Sequence, residues 1–184
     1  RSVAGRYPEP ASSMVMGNEG GKFVLKQRLE KVGLVSGAVF SDVTGDGRPD
    51  LILACEWGPL RIYRNEGGTF QPWDAAVNYS EERSTSNVQR PTLNSQLITL
   101  NQLTGWWHGV TTGDLDGDGR LDILASNWGL NSRYRTSWEH PGKLYYGDLD
   151  GNGVMDLVES YYEETMKKEV AERGYRAVSA ALGF

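Results

Sequence analysis

A nine-residue acidic pattern occurs three times in the chain, as "DVTGDGRPD" over 42–50, "DLDGDGRLD" over 114–122 and "DLDGNGVMD" over 148–156, each time followed by an apolar run. One template covers the copies: an acid at position 1, an oxygen-bearing side chain at 3, Asp or Asn at 5, Gly at 6 and Asp at 9. Two carboxylates about 5 Å apart repel by about 3 kcal/mol at an effective dielectric of 20, so acids converging on one short loop call for a cation. Self-similarity of this kind marks a repeat architecture, which restricts the possible folds more than any local propensity does.

In such a loop positions 1, 3 and 5 offer side-chain oxygens, position 7 a backbone carbonyl and position 9 a carboxylate, with the Gly at 6 permitting a sharp turn. All-oxygen ligation suits a hard cation, and a flexible loop favours Ca²⁺ over the stricter octahedron of Mg²⁺. The expected ligands are Asp42, Thr44, Asp46, the Arg48 carbonyl and Asp50 in the first loop. In the second they are Asp114, Asp116, Asp118, the Arg120 carbonyl and Asp122; in the third, Asp148, Asp150, Asn152, the Val154 carbonyl and Asp156. Thr44 replaces an acid, so the first loop should bind most weakly and the second, with four acids, most tightly. Two to three calcium sites are expected. An EF-hand shares the acidic positions but needs flanking helices and a bidentate Glu at position 12. That position holds Leu53, Ala125 and Glu159, and the flanks read as strands.

A second repeat, "MVMGNEGGKFVL" (14–25) and "RIYRNEGGTFQP" (61–72), has the form of a hairpin, with Gly-Gly supplying positive φ between segments of strand formers. The order strand, acidic loop, strand, hairpin is complete once, from about Ser36 to Trp73, and gives a four-stranded antiparallel unit the size of a propeller blade. The fold class expected is therefore all-β: about three to four blades of a partial β-propeller with calcium loops. The loops begin at Asp42, Asp114 and Asp148, so the intervals are uneven. The longer one contains the polar stretch 74–105, expected as an insertion between blades; the shorter leaves the third unit without room for a regular outer hairpin. Apolar residues at Met166, Val170, Val178 and Leu182 predict a short C-terminal helix.

A net charge of −5 and the lack of any basic run argue against nucleic acid as a partner. No apolar stretch is long enough for membrane insertion, and "RSVAGRYPEP" lacks the apolar core of a signal peptide. The single Cys55 lies in an apolar run and reads as a buried structural thiol. Trp106, Trp107 and His108 form the densest aromatic group beside a histidine, a candidate glycan-binding surface or a packing element between blades. Arg133, Tyr134 and Arg135 offer an anion site or a loop anchor. Asn78, in "NYS", fits a glycosylation acceptor, and His140 sits in a "HPG" turn. No nucleophile and base pair, phosphate loop or redox motif stands out.

At the acidic loops the chain resembles the VCBS or FG-GAP-like repeats, the calcium-loop propeller repeats also found in integrin α chains. Their loop pattern DxDxDGxxD is reproduced fully by Asp114 to Asp122, with Asn at position 5 by Asp148 to Asp156, and with Thr at position 3 by Asp42 to Asp50. "GRYPEP", "CEWGPLRIYRNEGGTF", "WWHGV" and "NWGLNSRYR" resemble propeller proteins that carry an ASPIC/UnbV domain. The resemblance implies that residues 1–184 are a fragment of one larger propeller, whose remainder is the first partner of this chain. It implies an exported parent protein, in an extracellular, periplasmic or cell-surface location. The function expected is a calcium-stabilised binding or interaction scaffold with a protein or glycan ligand. The alternative is a polysaccharide-active enzyme or enzyme subunit with its site on a propeller face near Trp106 to His108 or Arg133 to Arg135.

Overall fold

A computed structural model describes residues 7–79, 96–129, 136–137, 139–174 and 178. The chain divides into two compact units: Ser36–Ser126, and Arg1–Val35 with Asn127–Phe184. The described residues are almost entirely strand and turn, so the all-β expectation holds. The second unit opens with a hairpin of β1 (Ser13–Glu19) and β2 (Lys22–Leu29), whose turn glycines Gly20 and Gly21 have φ of 59° and 85°. The Asn18 side-chain oxygen accepts the Gly21 N–H at 2.8 Å, closing the turn.

The Ser36–Ser126 unit holds the complete blade. It contains β3 (Leu34–Ser41) from Ser36 on, β4 (Asp50–Glu56), the two-residue β5 (Gly58–Pro59), β6 (Arg61–Glu66) and β7 (Thr69–Trp73). The sheet order β3-β4-β6-β7 is the four-stranded unit expected from Ser36 to Trp73. Strand β4 is buried from Asp50 through Cys55, which is why its sequence is a continuous apolar run rather than an alternation. The β6–β7 turn repeats the first hairpin: Gly67 and Gly68 have φ of 67° and 97°, and Asn65 accepts the Gly68 N–H at 2.7 Å.

The polar stretch 74–105 starts and ends in ordered pairing. Strand β8 (Ala76–Tyr79) pairs antiparallel with β9 (Gln96–Thr99), a 3₁₀ turn follows at Leu100–Gln102, and β10 (Thr104–Gly105) pairs with β5. The second repeat supplies β11 (Trp107–Gly113) and β12 (Asp122–Asn127), hydrogen-bonded to each other.

The core shows how the two repeats stack. Ile52, Ala54, Leu60, Ile62 and Leu100 are buried together, and Val39, Trp73, Val110, Ile123 and Ala125 pack on them. By position in the repeat, Ile123 and Ala125 correspond to Leu51 and Leu53, not to Ile52 and Ala54. The first blade therefore presents one face and the second repeat the opposite face, a front-to-back arrangement. Their inner strands run side by side in one direction: the Ser36 hydroxyl donates to the Trp107 carbonyl, and Thr112 donates to Ser41 at 2.8 Å. Gly37 and Gly109, each five residues before its loop, meet there, and a Cβ on Gly37 would lie 3.1 Å from Gly109 Cα. Absence of a side chain is what lets the backbones approach.

The third repeat gives a three-stranded sheet of β13 (Lys143–Gly147), β14 (Asp156–Glu163) and β15 (Lys168–Ala171). Here the C-terminal helix expected from Met166 onward is corrected. Lys168–Ala171 is a strand paired antiparallel with Ser160–Glu163, because Glu169 finds partners on β13 and β14 that a helix would forgo. Of the remaining tail, Val178 lies in a helical turn and its N–H donates to the Gly174 carbonyl at 3.2 Å; residues 175–177 and 179–184 lie outside the described residues.

Candidate metal centre

All three acidic loops connect neighbouring strands: β3 to β4, β11 to β12 and β13 to β14. Strands and no helix flank them, where an EF-hand would need helices. The backbone of each loop is bent by two glycines in the left-handed region. They stand at positions 4 and 6: Gly45 and Gly47 (φ 74° and 84°), Gly117 and Gly119 (81° and 84°), Gly151 and Gly153 (77° and 82°). Sequence reasoning assigned this role to position 6 alone.

The bend turns loop amides inward onto the acids. At position 1, Asp42 accepts from the N–H groups of Asp46 (3.0 Å) and Gly47 (2.8 Å). Asp114 accepts from Gly117 (2.8 Å), Asp118 (3.1 Å) and Gly119 (3.0 Å), and Asp148 from Gly153 (3.0 Å). At position 9, Asp122 accepts the Leu115 N–H at 2.8 Å and Asp156 the Leu149 N–H at 2.9 Å. At position 5, Asp46, Asp118 and Asn152 each accept the N–H of position 7, from Arg48, Arg120 and Val154, at 2.9, 2.8 and 2.7 Å. These bonds fix where each acid points before any ion arrives.

Two groups of three acids converge among the described residues: Asp114, Asp116 and Asp122, and Asp148, Asp150 and Asp156, each with one carboxylate oxygen per residue within 4.8 Å of the others. They occupy positions 1, 3 and 9 of their loops. With Ca–O distances of about 2.3–2.6 Å, oxygens on opposite sides of one calcium ion lie up to about 5 Å apart, so both groups have the spacing and donor type for it. Asp118, the expected position-5 ligand, is outside its group. Its carboxylate is held by the Arg120 N–H and by the Arg120 guanidinium at 2.5 Å, and the backbone bond foremost keeps it below the usual carboxylate range. Asp46 is held by Arg48 in the same way, at 2.6 Å.

The first loop is built differently. Asp50 is 0% exposed. One of its oxygens accepts the Thr44 N–H and hydroxyl, both at 3.0 Å, and the other accepts the Asn65 N–H at 3.0 Å. Asn65 also donates from its amide to the Pro49 carbonyl at 2.9 Å, and Arg48 Nε donates to the Asn65 carbonyl at 2.8 Å. The acidic loop is thus bolted to the outer hairpin through Asn65. Sequence reasoning missed this role, although the recurrence of Asn-Glu-Gly-Gly was its signal.

Of the other candidates, Trp107 packs on the core and donates from Nε1 to the Leu103 carbonyl at 3.0 Å. Trp106 stacks with exposed His108 (centroids 6.1 Å apart) and lies 5.1 Å from Trp57, a residue the sequence did not single out, brought there by the β5–β10 bridge. His140 stacks flat on Tyr162 at 3.7 Å. Cys55 is buried, as expected, and burial pushes its thiol up, away from the reactive thiolate. Asn78 is exposed on β8. Arg133, Tyr134 and Arg135 lie outside the described residues.

A family model described as FG-GAP-like repeat matches residues 42–125, from the first acid of the first loop into β12. The match supports the FG-GAP family for this stretch, which holds the first two acidic loops and three of the four blade strands, β4, β6 and β7. No curated protein and no solved structure matches the chain significantly.

Proposed function

We propose that the chain is a calcium-stabilised segment of a larger β-propeller that serves as an interaction scaffold in an exported protein. The observation that carries the calcium reading is the convergence of acids at positions 1, 3 and 9 in two separate loops. Asp114, Asp116 and Asp122 would hold one ion and Asp148, Asp150 and Asp156 a second, each neutralising carboxylates that otherwise repel at under 5 Å. The FG-GAP match and the blade sheet Leu34–Trp73 support the scaffold reading. The export reading rests on the family resemblance; sites with the affinities of extracellular calcium modules, about 10⁻⁴ to 10⁻³ M, would be filled outside a cell and empty in a cytosol.

Calcium at ten times its dissociation constant adds about 1.4 kcal/mol per site by mass action on the folded state. For a chain of this size that raises the melting temperature by about 3–6 °C per site. Melting curves in calcium and in EDTA test this on the wild type, Asp116→Asn, Asp150→Asn and the double variant. The calcium shift should fall in each single variant and vanish in the double one; an identical melt in calcium and EDTA for the wild type removes the reading.

A further inference from the structure

The two Asn-Glu-Gly-Gly hairpins are the same object in different surroundings. Their registers coincide from the turn out to Met16, Glu19↔Lys22 with Glu66↔Thr69, Asn18↔Phe23 with Asn65↔Phe70, and Met16↔Leu25 with Tyr63↔Pro72, beyond which β1–β2 carries a bulge between Val15 and Met16 that β6–β7 lacks. In the complete blade β6 has a second neighbour, β4, aligned as Leu51↔Tyr63, Ile52↔Ile62 and Leu53↔Arg61. Among the described residues β1 pairs with β2 alone. The consequence shows in burial: Tyr63 and Phe70 are each 6% exposed, whereas their counterparts Met16 and Phe23 are 44% and 69% exposed.

The blade also shows what covers such a hairpin. The acidic loop's position-9 Asp50 accepts the Asn65 N–H, and Phe40 of the inner strand lies 5.5 Å from Phe70. Because the backbone N–H and carbonyl of Asn65 both face the loop and β4, those of Tyr63, two residues away, face β4 as well. By the matching register, Met16 and Asn18 present their backbone groups to the open edge of β1.

We infer that the open edge of β1, with Asn18, Met16 and Phe23, is a docking site for a strand–acidic loop–strand segment of the same repeat type as Leu34–Glu56, whose position-9 Asp accepts the Asn18 N–H and whose inner-strand aromatic covers Phe23. The occupant is the remainder of the larger propeller chain, so the inference rests on the segment reading above, though not on calcium. β1–β2 is then the outer half of a blade whose inner half comes from that polypeptide.

The test adds a labelled synthetic peptide of residues 34–56, with Cys55→Ser, to the full chain, and reads fluorescence anisotropy and hydrogen exchange at the Asn18 amide. Runs in calcium and in EDTA separate this proposal from the metal reading, since the expected contacts persist in EDTA. Binding should slow exchange at Asn18. A peptide with Asp50→Ala should bind about tenfold more weakly, the loss of one charge-assisted bond. Met16→Pro in the chain should abolish binding; its missing N–H faces the open edge, so the β1–β2 ladder survives. Phe23→Ser, at an exposed site, is the second variant and should weaken binding. No binding, or binding indifferent to these changes, overturns the inference. A chain that sediments as a dimer, made monomeric by Met16→Pro, overturns it too, because the occupant is then a second copy.

Discussion

Asp50 is the acidic-loop residue whose removal should cost most. Its carboxylate is fully buried and takes three hydrogen bonds, two from Thr44 and one from the Asn65 N–H, all at 3.0 Å. Bonds to a charged acceptor contribute about 1.5–3 kcal/mol each, and an orphaned donor costs about 1–3 kcal/mol, so Asp50→Ala, which strands two backbone N–H groups and a hydroxyl, should cost about 3–5 kcal/mol. Asp50→Asn keeps one acceptor oxygen. The least costly orientation turns that oxygen to the two Thr44 donors and the amide NH₂ to Asn65, at about 2 kcal/mol. With a urea m-value of about 2 kcal/mol/M, the midpoint should fall by about 2 M for Ala and about 1 M for Asn. The assay is equilibrium urea unfolding in EDTA, so that no bound cation contributes, with m checked for constancy. An Ala variant within about 0.3 M of wild type, or Asn and Ala shifts that are equal, would refute the reasoning that a buried acceptor locks loop to hairpin.

Three further outcomes follow from the geometry. Gly37→Ala puts a methyl 3.1 Å from Gly109 Cα and 3.3 Å from the His108 carbonyl, both backbone, whereas Gly109→Ala meets only the Ser126 hydroxyl at 3.4 Å; Gly37→Ala should lose about 1–3 kcal/mol and Gly109→Ala less, read by urea midpoints. Asn65→Ala removes the turn bond to Gly68 and the bond to Pro49, while Asn18→Ala removes only the turn bond to Gly21, so Asn65→Ala should be the more destabilising of the two by roughly 1 kcal/mol. Glu169, bonded by Lys143 first, then Ser160 and Tyr145, has its pKa lowered from 4.5 to about 2. Its contribution is complete above pH 4.5 and fades as pH falls towards 2, so acid titration of the β13–β15 sheet by NMR should show a loss in that window that Glu169→Gln flattens.

The loops and hairpins were legible because their chemistry is local. Gly-Gly between strand formers dictates a tight turn whatever surrounds it, and a glycine pair spaced by one residue bends an acidic loop by its own φ angles. The tail was misread for the same reason in reverse. Met166 and Val170 satisfy a helical spacing, but that spacing says nothing of Lys143 and Tyr145, 26 and 24 residues from Glu169, which with Ser160 draw it into a strand. Propensity is a weak prior wherever such partners exist.

By itself the sequence determined that this is an all-β repeat with three acidic turns, two matching hairpins and one complete blade from about Ser36 to Trp73. Only the folded loops showed which acids meet. Asp118 satisfies the same pattern as Asp114, Asp116 and Asp122, yet it lies outside their group, its carboxylate bonded by Arg120 two residues on. Tertiary structure decided that Asp50 is a buried bolt between loop and hairpin, and that Gly37 and Gly109 mark where two inner strands touch. A pattern along the chain specifies which oxygens are available and how the backbone turns. Where each oxygen points depends on donors that folding turns inward from the loop itself or, as with Asn65 at Asp50, brings from elsewhere, and those distances are not written in the spacing.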